Sequence, residues 1–129
     1  MNKICTSIKQ SHKLINLGLD ISTSDMRYGY VAPYDFSDRM YDGGYDPIAY
    51  HKDFFIKNPM FSMEEYDGEL FAWSLTALMN LLDDKAGLAK EYGLWYCYDN
   101  GKSHCTKHYE DSLDAVFEMI VWLKENKKL

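Results

Sequence analysis

The chain has 129 residues, of which 47% are apolar and 26% are charged. This is enough for one compact domain with its own core, residues 1–129, and it excludes a wholly disordered chain. Twenty acidic against 14 basic residues give a net charge of −6, which disfavours sequence-independent binding to nucleic-acid phosphates.

The first 31 residues predict a helix, a turn and a strand. Residues 2–18 have the apolar spacing of an amphipathic helix, and Gly18 is placed to end it in a left-handed conformation, with Leu19 folding back onto the helix. Residues 20–25 are rich in Ser, Thr and Asp and predict a turn. Met26 to Val31 then alternates as a short strand does.

Residues 32–69 predict an ordered but irregular excursion. Tyrosines and aspartates alternate there, glycines and prolines interrupt any long element, and one short strand is expected at Asp53–Ile56. The net negative charge of the chain lies in residues 25–69, which include the excursion and carry ten acidic and four basic residues. A loop of this length in a small domain usually has a function.

A short helix is predicted after the excursion. Ser74 has the hydroxyl of an N-cap, and apolar residues at helical spacing follow as far as Leu82. The negative charges of Asp83 and Asp84 are unfavourable at the C-terminal, negative end of a helix dipole, so the helix is predicted to end before them. Residues 85–92 are expected to form one further helical turn before Gly93.

Asn100-Gly101 predicts a type I′ turn joining two antiparallel strands, 94–99 and 102–107. A long helix is expected from Asp111 or Ser112 to about Asn126, because its broad apolar face suits packing across a sheet. The sequence therefore predicts an α+β fold, with a small antiparallel sheet packed against a C-terminal helix.

That C-terminal helix carries an apolar stripe and a polar stripe. Phe117 lies in the apolar stripe, and replacing it with Ala is expected to cost about 3–5 kcal/mol. Glu118 lies in the polar stripe with Asp114 and Glu125, and replacing it is expected to cost under about 0.5 kcal/mol.

Thiol and imidazole groups cluster between positions 97 and 108. The three cysteines are an odd, sparse set, which favours reduced thiols in a cytoplasmic protein. In the predicted hairpin Cys97 faces His104, Cys105 projects from the other side, and His108 lies roughly 13 Å from His104. We therefore expect no metal here and no cofactor, although a small enzyme or metal-binding protein using these residues stays open as the alternative.

The excursion offers two further interpretations. Asp38, Asp42 and Asp46 flank Gly43-Gly44 and could supply oxygen ligands to calcium, but their i, i+4, i+8 spacing is not that of an EF-hand. Tyrosine interleaved with aspartate is typical of recognition surfaces, here one suited to a basic protein partner. The predicted partner-binding residues are Tyr41, Asp42, Tyr45 and Asp46. The competing interpretation is that these tyrosines only cover a small core.

Three segments carry a resemblance to a known group of proteins. They are Ser11-x-x-Leu14-x-x-Leu17-Gly18-Leu19-Asp20 with Thr23-Ser24-Asp25-Met26, then Ala72-Trp73-Ser74-Leu75-x-Ala77-Leu78, then Ser112-Leu113-Asp114-Ala115-x-Phe117-Glu118-Met119-x-x-Trp122-Leu123. Together they resemble small proteins encoded by phages, prophages and conjugative elements of gut Bacteroidales. The resemblance does not cover the excursion, and it implies an accessory role on a mobile element with no catalytic residue to carry over.

These observations favour a non-enzymatic protein-interaction module, with enzymatic activity left open. We expect a protein partner, no direct binding to nucleic acid and no membrane association, since no apolar run reaches the length of a membrane span and the N-terminus lacks a signal-peptide apolar region. Homo-oligomerisation is left open.

Overall fold

The computed structural model describes residues 3–31, 48–52, 63–65 and 70–129. Within them the chain has an α+β fold with antiparallel sheets and a long C-terminal helix, as predicted. In chain order the elements are α1 (Ile8–Asn16), β1 (Met26–Val31), β2 (Ile48–His51), β3 (Met63–Glu65), β4 (Phe71–Ala72), α2 (Leu75–Leu82), β5 (Ala86–Glu91), β6 (Leu94–Asp99) and α3 (Ser112–Glu125). The strand predicted at Asp53–Ile56 lies outside the described residues.

Helix α1 begins later than predicted because a capping box fixes its start. The Ser7 hydroxyl accepts from the Gln10 backbone N–H at 3.1 Å, and the Gln10 side chain accepts from the Ser7 N–H at 2.9 Å. The end is as predicted, with Gly18 at φ +87° and the Leu19 N–H donating to the Leu14 carbonyl at 3.1 Å.

The first sheet is organised around β1. Strand β2 pairs antiparallel along one edge of β1, while β4 and β3 pair in succession along the other edge. Cys5, Met26 and Ala72 form a small buried cluster associated with this sheet. The strand predicted at Met26–Val31 is thus confirmed, and it lies at the centre of the sheet.

Helix α2 is fixed at both ends by its own sequence, as predicted. The Ser74 hydroxyl accepts from the Ala77 N–H at 3.2 Å, and the Ser74 N–H donates to the Asp25 carboxylate at 2.8 Å, which ties the helix to the turn before β1. Asp83 ends the helix at φ +48°.

The second sheet is an antiparallel ribbon of β5 and β6, and it corrects two predictions. Residues 86–91 are a strand rather than a helical turn, and the hairpin reverses at Tyr92 and Gly93, with φ +52° and +80°. These are the two positive φ angles of a type I′ turn. At 99–102 the chain does turn, with a hydrogen bond from Lys102 N–H to Asp99 C=O at 2.9 Å, but the positive φ there belongs to Lys102. The type I′ turn predicted at Asn100-Gly101 is therefore wrong, and residues 102–107 form an isolated bridge, from Cys105 to Tyr98, rather than the predicted strand.

Helix α3 forms the centre of the main core and begins after Asp111, whose carboxylate accepts from the Leu113 N–H at 2.9 Å. The core lies between the three helices and the β5–β6 ribbon. Fully buried residues of α3 are Leu113, Ala115, Val116, Met119, Ile120 and Leu123. Phe117 and Trp122 are only half-buried. No helix in the part of the chain described here is both long and apolar enough to cross a bilayer.

Candidate functional site: an exposed tyrosine face on the β5–β6 ribbon

The residues predicted to bind a partner, Tyr41, Asp42, Tyr45 and Asp46, lie outside the described residues, as does Asp38. That surface therefore stays a prediction. The described residues form a candidate site on the β5–β6 ribbon and on the segment that follows it.

The structure separates the four thiol and imidazole residues that the sequence brings together. Cys97 lies opposite Leu88 on β5, while Tyr98 forms an isolated antiparallel bridge with Cys105 on its other side. The predicted hairpin, with Cys97 opposite His104, would have put Cys105 opposite Tyr96, so the returning segment is shifted by two residues. The predicted pairing of Cys97 with His104 is therefore wrong.

Cys97 is a core residue and not an activated nucleophile. It is fully buried, and burial raises the pKa of its thiol to about 12. A thiol in this environment stays protonated at neutral pH, whereas catalysis needs the thiolate. The His104 imidazole instead stacks on Trp122, with centroids 4.5 Å apart and planes at 4°, and no described hydrogen bond joins it to the Cys97 thiol.

The other two residues lie on the outer side of the ribbon. Cys105 is exposed, and the His108 ring lies 4.7 Å from the Tyr96 ring. Among the described residues, no group of three or more His, Cys, Asp or Glu side chains is arranged to hold a metal ion.

The outer side of the ribbon instead carries two partly exposed aromatic rings, with Tyr98 37% exposed and Tyr96 half-buried. Tyr96 and Tyr98 alternate with buried residues along β6, and their ring centroids are 6.3 Å apart with planes tilted by 48°. They line a groove of about 520 Å³ together with Ala89, Lys102 and Cys105. We call this surface, completed by His108, the tyrosine face.

Small residues on β5 make room for the rings. Ala89 pairs with Tyr96 and Gly87 pairs with Tyr98. A Cβ at Gly87 would come within 2.6 Å of both Cζ and the hydroxyl oxygen of Tyr98, so the Tyr98 ring lies across the strand where a side chain would stand. Glycine here provides space rather than conformational freedom.

A short segment after β6 holds the tyrosine face from the side. The Cys97 N–H donates to the Thr106 hydroxyl at 2.9 Å, and the Thr106 N–H donates back to the Cys97 carbonyl at 2.9 Å. Trp95 and Tyr109 exchange backbone bonds of 2.6 and 2.7 Å. These bonds occupy the second edge of β6 and keep Cys105 and His108 beside the tyrosines.

Asp99 fixes the turn that carries Lys102. Its carboxylate accepts from the Ser103 hydroxyl at 2.7 Å and from the His104 N–H at 2.8 Å. The bond from Ser103 is the main cause that lowers the pKa of Asp99 below its ordinary value, and the bond from His104 acts in the same direction. The charged carboxylate thus organises the loop that borders the groove.

A second concave surface lies between α1 and α3. It has a volume of about 290 Å³, with Phe117 and Val121 on α3 facing Lys9 and Lys13 on α1. Its polar neighbour Glu118 already accepts a hydrogen bond from Tyr109. Gln10 also lines this groove and already donates to Asp114 at 2.8 Å, so two of its polar side chains are engaged within the chain.

The sequence carries a signal for one part of the tyrosine face. Tyr96 and Tyr98 occupy alternate positions of a correctly predicted strand, which places them on one side of it. Their neighbours Gly87 and Ala89 were assigned to a helical turn, so the open surface between the two strands was missed.

Comparison with known proteins gives no relative. No family model matches the sequence, and neither the curated proteins nor the solved structures contain a match.

Proposed function

We propose that this chain is a non-enzymatic protein-interaction module that binds a partner protein on the tyrosine face. The observation that carries the proposal is the pair Tyr96 and Tyr98, presented over a groove on a ribbon whose opposite side is packed in the core. Tyrosine combines a large rigid ring with a polar hydroxyl and is enriched in interface hot spots. A surface held rigid by the core loses little conformational entropy on binding.

The preferred partner is a protein with a basic surface. The net charge of −6 favours such a partner, and the acidic residues 25–69 would speed its encounter by long-range attraction. In this proposal Tyr41, Asp42, Tyr45 and Asp46 contribute further contacts. The resemblance to proteins of Bacteroidales mobile elements supports an accessory role, and the three free cysteines support work in the reducing cytoplasm.

The alternative of a small enzyme has less support. Its best candidate nucleophile, Cys97, is buried with a raised pKa, and its candidate base is stacked on Trp122. The exposed thiol, Cys105, borders the tyrosine face but has no described hydrogen-bonded base beside it.

In the test, the immobilised wild-type chain captures its partner from a host lysate, and the purified captured protein is then titrated against the wild type and its variants. The Tyr96→Ser/Tyr98→Ser variant is expected to raise the dissociation constant about 30-fold or more, as the loss of an interface hot spot does. Tyr92→Asn is the matched control: Tyr92 is 93% exposed in the hairpin turn, does not line the groove, and Asn tolerates its positive φ.

A Tyr41→Ala/Tyr45→Ala variant tests the predicted contacts of the excursion in the same titration. Raising the salt concentration is expected to slow association with a basic partner. Binding that is unchanged in the Tyr96/Tyr98 variant, or lost equally in Tyr92→Asn, would remove the tyrosine face from the proposal.

A further inference from the structure

We infer that the open edge of β5 is a self-association interface, at which a second copy of this chain adds its own β5 antiparallel to the first. The inference stands apart from the proposed function, because it concerns the backbone edge of the sheet and not its tyrosine face.

The hydrogen-bond pattern of the ribbon shows which groups of β5 are directed outward. Glu91 and Leu94 close the two-residue hairpin, and at the other end the Asn100 N–H donates to the Lys85 carbonyl at 2.9 Å. Antiparallel bonding alternates, so the odd-numbered residues of β5 bond to β6. The residues whose N–H and C=O groups are directed away from β6 are Ala86, which is buried, Leu88, which is half-buried, and Lys90, which is exposed.

Nothing in the described parts of the chain pairs with this edge. No described backbone or side-chain group bonds to the outward groups of Ala86, Leu88 or Lys90. Strand β6 differs, since β5 occupies one of its edges and the segment 104–109 occupies the other. An edge strand on which three residues have unpaired outward groups is a template for another strand.

The usual protections of an edge strand are weak in β5. The strand contains no proline, and its first four residues, 86–89, are small or apolar. Its lysine, Lys90, does not cover the edge, because the ammonium group lies 5.2 Å from the centroid of the Trp95 ring, across the face of the sheet.

A two-fold axis at Leu88 gives a register that satisfies both backbone and charge. Leu88 then pairs with Leu88 of the second copy, and Ala86 pairs with Lys90, which aligns all outward N–H and C=O groups. In the same register Lys85 of each copy lies opposite Glu91 of the other. Opposite charges at directly facing positions stabilise a sheet, and the symmetry supplies this pair twice.

Lys85 and Glu91 cannot form an ion pair with each other within one chain. Lys85 and Glu91 are six residues apart along an extended strand, which is roughly 20 Å. Neither takes part in an ion pair with another described residue. Any energetic coupling between them must therefore act between copies.

The resulting sheet would run β6–β5–β5–β6 across the axis, with both tyrosine faces on one side. Gly87 and Ala89 flank the junction on that side and leave it flat. Because one strand and its flanks supply the contact, we expect a weak dimer with a dissociation constant between about 10 µM and 1 mM.

Sedimentation equilibrium over this concentration range gives the first test. We expect the wild-type chain to dimerise, Lys90→Pro to remain monomeric and Lys90→Ala to dimerise as the wild type does. Proline removes an outward N–H without removing a bond to β6, while alanine keeps that N–H. A wild-type chain that stays monomeric up to about 1 mM, or a Lys90→Pro variant that dimerises normally, overturns the inference.

Charge reversal gives a second test that does not depend on proline being tolerated. Lys85→Glu and Glu91→Lys are each expected to weaken dimerisation about tenfold, because each places like charges opposite one another twice. The double variant Lys85→Glu/Glu91→Lys is expected to recover to within about threefold of the wild type. Single effects that simply add in the double variant would overturn the proposed register.

Discussion

The hydroxyl of Tyr109 donates a hydrogen bond to the carboxylate of Glu118, joining the segment after β6 to the middle of α3. The sequence predicted a polar stripe at Asp114, Glu118 and Glu125 and a cost under about 0.5 kcal/mol for replacing Glu118. The structure gives two of the three residues partners within the chain, since Asp114 also accepts from Lys3 at 2.7 Å and from Gln10 at 2.8 Å. The stripe attaches flanking segments to α3.

Tyr109→Phe tests the contact to Glu118. Removing the hydroxyl is expected to lower the free energy of unfolding by about 1 kcal/mol, the net value of one hydrogen bond at a half-buried site. Urea denaturation at pH 8 measures it. Tyr92→Phe is the control, since this exposed hydroxyl makes no described contact, and equal losses in the two variants would contradict the assignment.

The same contact predicts a limit at high pH. Burial, and then the bond to Glu118, raise the pKa of Tyr109 to about 12. A group whose pKa is raised by folding contributes its stability fully below its unfolded pKa, about 10, and loses it as the pH rises through about 12. The stability difference between wild type and Tyr109→Phe should therefore shrink between these values.

Packing on α3 predicts unequal costs for two large apolar residues. Ile120 is fully buried, so Ile120→Ala is expected to cost about 2–5 kcal/mol through the cavity that it leaves. Phe117, which was expected in the core, is only half-buried and lines the α1–α3 groove, so Phe117→Ala is expected to cost about 1–2 kcal/mol. A larger cost at Phe117, in the same denaturation assay, would restore the original assignment of the buried face.

The three cysteines predict a graded reactivity. Cys105 is exposed, whereas burial raises the pKa of both Cys5 and Cys97. Because the thiolate is the reactive form, a thiol reagent at pH 8 should modify one cysteine per chain quickly and the other two only in denaturant. Cys105→Ser should abolish the fast phase. A fast phase that survives this substitution would show that a second thiol is accessible.

Local signals predicted the elements whose ends are fixed by their own side chains. Ser74 and Asp111 cap the start of a helix, and Gly18 ends one. The hydrogen bonds at these three positions join residues at most five positions apart, so a short window of sequence is enough to predict the helix ends. Helix α1 was extended too far because the box formed by Ser7 and Gln10 was not recognised.

The ribbon was harder to predict because non-local pairing overrides local preference there. Residues 86–91, Ala-Gly-Leu-Ala-Lys-Glu, are mostly good helix formers, yet pairing with β6 holds them as a strand. Asn100-Gly101 is the stronger local turn signal, but Asp99 binds Ser103 and His104 and so sets a wider loop. The tyrosine face depends on the register of β5 against β6, and for this reason it could not be read from either strand alone.

Gly87→Ala tests the shape of the tyrosine face without removing a tyrosine. The added methyl group would stand 2.6 Å from the Tyr98 ring, so the ring must swing away from the strand. Tyr98 is already 37% exposed, and a strand tolerates Ala well, so we expect the free energy of unfolding to change by less than about 1 kcal/mol. Near-ultraviolet circular dichroism should report the displaced ring, and partner binding should weaken.

Gly93→Ala is the contrasting control, because its Cβ would meet nothing within 4 Å but its φ of +80° is strained for Ala. It should lose about 1 kcal/mol of stability while leaving the tyrosine face and its binding intact.

Combining Gly87→Ala with Tyr98→Ser removes the clash, so any energetic penalty of Gly87→Ala should disappear in that background. A penalty of equal size with and without the Tyr98 ring would show that Gly87 acts on the strand itself and not on the tyrosine face.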